Sequence, residues 1–299
     1  MNLVSYVKNN RAALIKEPFV IVLGSGVHAQ AYSAEKNVLN DWDELLKSID
    51  SKFQPSGNYP LDFESILSRK CLNKPSLQRN EIEEIQLNKI AEVLKKFCLK
   101  PGQPEYPVSF LSSPLISDVV NLNFDLVIEN LPGGHIPKGK LIKRSPADSY
   151  STLNYELEGL TFWHPHGSID VPKSILLSQR RYFLYSQKVE QLRKRFMAKV
   201  NSNKPNRIIP ENWFELLATR PIIICGASLS PAEWDIWLAI VSRYRMRSNT
   251  KQKNQPIFKM YGCEQRPKSA RGHINHFYPI SSQHRCFSDE WILINKLFN

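Results

Sequence analysis

The sequence predicts an α/β fold, a mostly parallel sheet flanked by helices with a small helical lobe beside it. Three observations lead there. Two continuous apolar runs, Phe19–Leu23 and Pro221–Cys225, each end at a glycine, as strands buried on both faces of a parallel sheet do. Stretches between and after them carry apolar residues at helical spacing. Candidate strands and helices also alternate along the chain, the pattern of β-α-β units.

Phe19-Val20-Ile21-Val22-Leu23 is the first strand, closed by Gly24-Ser25-Gly26. Trp42, Leu45, Leu46 and Ile49 then repeat at helix spacing, and Leu87, Ile90, Ala91, Leu94 and Phe97 do so again. Pro101 to Pro107 reads as a loop, Asp118–Asn123 as the next strand, with helix-compatible residues after it, and Gly133 to Gly139 as a turn-rich break. Leu160–Trp163 is a third strand, running into His164-Pro165-His166-Gly167. A basic helix covers Ser178 to Val200, and a shorter one Trp213–Leu217. The strand ending at Cys225 leads into Gly226 and a helix carrying Trp234 and Trp237. A strand near Ile257–Tyr261 and a helix over Asp289 to Leu297 complete the pattern. There is no internal repeat. The expected organisation is one domain over 1–299, with core segments about 18–50, 108–175 and 205–299 and helical insertions about 51–107 and 176–204.

Composition narrows the class. A hydrophobic share of 42% exceeds that of disordered chains and falls short of membrane proteins. The apolar runs are far too short to cross a bilayer, and the start, MNLVSYVKNN, lacks the apolar region of a secretion signal. A cytoplasmic protein with no membrane association is expected. Five scattered cysteines (Cys71, Cys98, Cys225, Cys263, Cys286) form no C-x-x-C pair, which disfavours a zinc ribbon and a disulfide scaffold. The formal charge of +12 concentrates in two stretches, 180–207 and 243–271. Each holds nine Lys or Arg against one Glu, Glu190 and Glu264 respectively. Such faces accept nucleic acid, an acidic protein or an anionic ligand, and equally fit a solvated helix surface.

Four segments carry chemistry, each at or just after the C-terminal end of a predicted strand, where open α/β sheets bind ligands. Gly24-Ser25-Gly26-Val27-His28-Ala29 lets backbone approach a pyrophosphate, and also fits a tight strand–helix turn. A hydride-transfer dehydrogenase would place an acidic residue at the end of the second strand, whereas Asp41, Asp43 and Glu44 sit in the helical pattern around Trp42. Asn121-Leu122-Asn123-Phe124-Asp125 offers polar groups for a ribose hydroxyl or a water, although Asp125 alone also fits a helix cap. In His164-Pro165-His166-Gly167-Ser168-Ile169-Asp170, one histidine suits a general base near neutral pH. No other His, Cys and acid cluster has metal-ligand spacing, so no metal is expected. Gly226 and Ser228 can contact a phosphate or ribose from the opposite half of the cleft, and Ser230 and Pro231 equally fit the start of the next helix.

Taken in order, these segments resemble the Sir2 superfamily, and its bacterial Sir2-like branch more than true sirtuins, over roughly residues 19 to 240. Gly24-Ser25-Gly26-Val27 is similar to the family's phosphate loop, and Asp41-Trp42-Asp43-Glu44-Leu45-Leu46 to the tryptophan-containing helix that follows it. Asn121-Leu122-Asn123-Phe124-Asp125 resembles the T-x-N-(Y/F)-D element, which aligns Asn123 and Asp125 with its catalytic Asn and Asp. His166-Gly167-Ser168-Ile169 resembles the HG-type motif and makes His166, not His164, the catalytic histidine, with Gly167 and Ser168 beside the nucleotide. Gly226-Ala227-Ser228-Leu229-Ser230 resembles the late G-x-S-L element that touches NAD.

The resemblance implies a Rossmann-like core and NAD+ as substrate. Its departures matter too. Asn121 replaces Thr, Ser25 replaces Ala, and His28-Ala29-Gln30-Ala31-Tyr32 stands where sirtuins lead to P-D-F-R. The four-cysteine zinc module is absent from the sequence, so no zinc is expected and NAD-dependent protein deacylation ranks low. The implied role is an NAD+ hydrolase that depletes NAD in bacterial anti-phage defence. It would work with a companion sensor or regulatory protein in a hetero-oligomer, or by self-association. The alternative reading is a non-catalytic subunit that senses NAD or ADP-ribose.

Overall fold

The computed structural model describes residues 2–31, 39, 41–98, 108–130, 142–143, 153–157, 159–202, 208–229, 233–249, 255–260, 277–280 and 287–298. At its centre is β1 (Phe19–Leu23), all five residues buried. Because strand side chains alternate, Phe19, Ile21 and Leu23 enter one apolar cluster while Val20 and Val22 enter the other. A continuous apolar run is what a strand covered on both faces requires.

β1 pairs in parallel with β2 (Ile116–Asn121) on one side and β6 (Ile222–Cys225) on the other. β5 (Leu160–Trp163) extends the sheet in parallel beyond β2. β7 (Ile257–Lys259) and β8 (Phe277–Pro279) extend it in parallel beyond β6. β4 (Asn154–Leu157) and β3 (Ile142–Lys143) add an antiparallel margin beside β5. Among the described residues the sheet has eight strands in the order β3-β4-β5-β2-β1-β6-β7-β8. The α/β class expected from sequence is therefore observed.

Helices cover both faces. The first cluster takes apolar residues from α1 (Leu3–Lys16), α3 (Trp42–Ile49), α4 (Tyr59–Asn73), α5 (Arg79–Cys98) and α9 (Phe287–Phe298). The second takes them from α6 (Gln179–Asn201), α7 (Trp213–Thr219) and α8 (Trp234–Asn249). Side-chain caps start several of these helices: Asp41 Oδ1 accepts from the Asp43 and Glu44 amides, and Ser178 Oγ from Arg181. The helices between residues 59 and 98 bury Phe63, Ile66, Leu67, Ile82, Leu87 and Ile90 in the same contiguous cluster as β1.

Some elements depart from expectation. β2 begins and ends two residues before the predicted Asp118–Asn123. The Asn121 side chain accepts the Asn123 amide at 3.0 Å, an Asx turn that takes the backbone out of the ladder. The β3–β4 margin was not predicted, because two- and four-residue strands are too short to display a period. α1 was missed because only Leu3, Val7 and Leu14 of its fourteen residues are buried. The predicted loop 101–107 and break 133–139, and the proposed cap at Ser230 and Pro231, lie outside the described residues.

Candidate active site at the strand ends

The chain leaves β1 toward β2 and leaves β6 toward β7, so neighbouring strands send their connections in opposite directions. A sheet opens into a crevice at such a switch point, outside the C-terminal strand ends. Register places Leu23, Asn121 and Cys225 side by side at that edge. Val120 is level with Trp163, so His164 stands level with Asn121. All four motifs read from the sequence therefore emerge along one edge.

Gly24-Ser25-Gly26-Val27 leads into α2 (Gly26–Ala31) and meets the loop after β6 directly. A Cβ on Gly24 would lie 2.6 Å from the Gly226 carbonyl oxygen, and one on Gly26 would lie 2.8 Å from Gly226 Cα. Gly226 has φ +67°, and its Cβ would lie 2.6 Å from the Val27 nitrogen. Only residues without side chains allow this backbone-to-backbone approach. The Gly26 amide donates to the Gly226 carbonyl at 2.9 Å and the Gly24 amide to that of Cys225 at 3.0 Å. The Val27 and His28 amides donate to the Gly24 and Ser25 carbonyls. Four amides at the start of this turn are thus used within the protein. Ser25 and Ser228 are exposed beside them, while Val27 and Ala227 are buried.

The segment after β2 is held by its own side chains. Asn121 is fully buried, accepting the Asn123 amide and donating from Nδ2 to Glu129 Oε1 at 2.9 Å. Asp125 Oδ2 faces His28 Nε2 at 3.1 Å, and its Oδ1 accepts the Val127 amide. Burial alone would raise the Asp125 pKa, but the facing His28 and the amide outweigh it, so the carboxyl is held below its ordinary value. Both Asp125 oxygens are thereby engaged with protein groups. Asn123 differs: it is 8% exposed and its Nδ2 is buried with no hydrogen-bond partner among the described residues. Such an orphaned donor is uncommon in a folded interior and marks a place for an acceptor.

After β5, His164 and His166 part company. His164 is fully buried, with Nδ1 3.2 Å from the Asn123 carbonyl and Nε2 2.9 Å from Glu129 Oε1. His166 Nε2 faces Asp235 Oδ2 at 3.0 Å, and the Tyr185 hydroxyl donates to the same oxygen at 2.6 Å. Burial would lower the His166 pKa, but the charges of Asp235 and Glu233 and the Leu122 carbonyl against the ring carry it upward. Gly167 has φ +96°, and a Cβ there would strike the Ser174 carbonyl oxygen at 2.2 Å. Ser168 is fully buried, its hydroxyl accepting from Tyr155 and its amide donating to Ser174 Oγ, so it braces the loop. The Ile169 amide donates to the Phe124 carbonyl at 2.8 Å, lacing this loop to the one after β2.

Sequence reasoning singled out Asn123, Asp125 and His166 but not the side chains that hold them: His28, Glu129, Asp235 and Tyr185. The His28–Asp125 partners are 97 residues apart and the His166–Asp235 partners 69, distances at which a single sequence carries no pairing signal. Among the described residues no three His, Cys, Asp or Glu side chains are grouped as metal ligands. Cys71 and Cys225 are free thiols, and Cys263 and Cys286 lie outside the described residues.

The two basic stretches contain charges of different kinds. Arg181 pairs with Glu83, Arg193 with Glu190, and Lys199 with Glu211 and Glu215, whereas Lys188, Lys194 and Arg195 are exposed on α6. In the second stretch Arg243 and Lys259 are buried. Arg243 donates to the Leu217, Gln255 and Arg220 carbonyls, and Lys259 to that of Ser228.

Residues 117–244 match the family model of the SIR2-like domain. The match runs from β2 into α8 and takes in Asn123, Asp125, His166, Gly226 and Asp235, so over these residues the chain is similar to the SIR2-like domain. No curated protein matches the chain.

Proposed function

We propose that the protein hydrolyses NAD+ at the nicotinamide–ribose bond, giving nicotinamide and ADP-ribose. The observation that carries this reading is the Asn123 amide. It is a buried donor without a hydrogen-bond partner among the described residues, in the loop between those that follow β1 and β5. Nicotinamide departs from NAD+ as a neutral group and takes the electron pair of the broken bond, so no acid has to protonate it. The site's task is to stabilise an oxocarbenium-like ribose and deliver water to its anomeric carbon. In this mechanism Asn123 orients that water or a ribose hydroxyl. As the new C–O bond forms, the water's proton passes to the neutral His166 ring. The resulting imidazolium is stabilised by Asp235 at Nε2 and by the Leu122 carbonyl. Asp125, paired with His28, fixes the Asn123 loop against α2. Gly24, Ser25, Gly26 and Val27 shape the dinucleotide side of the crevice with Gly226, Ala227 and Ser228.

An enzyme that consumes NAD needs restraint. The Sir2-like resemblance supports a role as an NAD-depleting effector in anti-phage defence, released by a companion protein or by self-association. The exposed cations Lys188, Lys194 and Arg195 on α6 are the docking surface we assign to an acidic partner or nucleic acid. Among the described residues no helix is long and apolar enough to cross a membrane. We place the protein in the cytoplasm on its sequence.

Incubation of the purified protein with NAD+, alone and with host-cell extract, tests the reading by free nicotinamide. Release by wild type but not by His166→Ala or Asn123→Ala is expected. Binding of NAD+ without release under any condition would replace this reading with the sensing subunit. Transfer of an acyl group from lysine would replace it with the deacylase.

A further inference from the structure

We propose that Glu129 is a positioning residue that fixes Asn123 through two side-chain arms, a step that rests on the hydrolase reading above. Glu129 lies in the turn after β2 with its side chain fully buried. One of its oxygens, Oε1, receives Asn121 Nδ2 at 2.9 Å and faces His164 Nε2 at 2.9 Å. Asn121 in turn accepts the Asn123 amide at 3.0 Å, and His164 Nδ1 lies 3.2 Å from the Asn123 carbonyl. The peptide groups on either side of Asn123 are therefore gripped by two side chains that share one carboxylate oxygen.

Burying a carboxylate is costly, and apolar residues of similar volume commonly replace buried ion pairs without loss of stability. Here the cost is not fully met, because Glu129 Oε2 is buried with no hydrogen-bond partner among the described residues. What the arrangement does supply is orientation. Rotation of either peptide would turn the Asn123 side chain, and the clamp opposes both rotations. His164, which lacks access to the crevice, acts here as an arm of the clamp. An Asn at position 121 is likewise required in full, since it accepts with its oxygen and donates with its nitrogen.

Glu129→Met tests the clamp. It keeps the length of the side chain but removes the oxygen that both arms share. With wild type active, kcat should fall about 10²-fold, as a misplacement of roughly 1 Å does, while KM for NAD+ stays near wild type. Because Glu129 acts through Asn123, the Asn123→Ala/Glu129→Met double variant should be no slower than Asn123→Ala alone. Independently of activity, exchange of the Asn123 amide should quicken in Glu129→Met while that of Val119 and Val120 stays protected. An unchanged kcat, losses that multiply in the double variant, or unaltered Asn123 exchange would each overturn the clamp. If wild type releases no nicotinamide, the hydrolase reading fails and amide exchange alone decides the clamp. Should Glu129→Met not fold, Asn121→Ala opens the same clamp from its other end and is read in the same way.

Discussion

His166 Nε2 stands 3.0 Å from Asp235 Oδ2, so a buried pair ties the loop after β5 to the second residue of α8. Tyr185, from α6, donates to the same oxygen and orders the carboxylate from a third element. Asp235 is held below its ordinary pKa: burial pushes it up, and the facing His166, the Tyr185 hydroxyl and the Ile236 amide more than reverse that. The ring and the carboxylate thus favour each other's charged forms, and this sets how the site answers to pH.

In the proposed mechanism His166 must be neutral to accept a proton, and its pKa is raised from 6.5. Activity should therefore rise with pH along a limb centred above 6.5. Asp235→Asn removes the largest upward influence, so the limb should move to lower pH. Loss of orientation should lower the plateau as well. The pH profile of kcat/KM for the two proteins checks this, and coincident limbs would refute it.

The same pair has a stability signature. The raised His166 pKa contributes stability that is fully present below 6.5 and is lost as pH rises through the folded-state value. The lowered Asp235 pKa contributes stability present above 3.8 and lost as pH falls through its folded-state value. Wild type should resist urea best between these limits, and Asp235→Asn should flatten the profile on both sides. Urea midpoints at acid, near-neutral and alkaline pH measure it.

Much of the architecture was legible because the core strands must be apolar on both faces. Phe19–Leu23, Leu160–Trp163 and the run ending at Cys225 all stand where their composition put them. Gly24, Gly26 and Gly226 were legible as close-approach positions, but their nearest neighbours are the backbones of one another and of Val27. The holding residues were illegible for a different reason. His28, Glu129 and Asp235 are ordinary residues in helical or turn sequence, and only the crossing of β1, β2, β5 and α8 at one edge gives them partners. The +12 charge misled in part, since it counts Arg243 as surface although that guanidinium is buried among carbonyls.

Gly167→Ala and Gly226→Ala should both destabilise. Each residue has positive φ, and each new methyl would meet backbone, which cannot swing aside as a flexible side chain can. Strain of this kind costs about 1–3 kcal/mol before the clash is added. Gly57→Ala is the control, because φ is also positive there but nothing lies within 4 Å of the added Cβ. Its midpoint in urea should fall least of the three, and an equal fall in all would show that φ alone sets the cost.

His28→Leu should leave the Asp125 carboxylate buried without its partner. Breaking one side of a buried pair costs roughly 3–5 kcal/mol, more than an apolar replacement recovers. Asp125 should then titrate higher, so the stability it contributes above its pKa would be lost at a less acidic pH than in wild type. His28→Leu/Asp125→Leu, with both partners gone, should recover much of that stability and separate the pairing term from packing. A double variant no more stable than the single would show that the pair itself was not the issue.

The two kinds of basic residue should separate cleanly. Lys194→Glu/Arg195→Glu reverses exposed charge on α6 and should change stability by only about 0.5 kcal/mol per site. Arg243→Leu removes a buried guanidinium that satisfies three carbonyls at the end of α7 and before β7. Its cost should be roughly 3 kcal/mol or more, since each stranded carbonyl loses a charge-assisted bond. If α6 is the docking surface, the reversal should weaken capture of an acidic partner or nucleic acid and reduce the salt dependence of binding, while nicotinamide release by the isolated protein is unaffected. Wild-type binding by the reversed protein would move the search for a partner away from this helix.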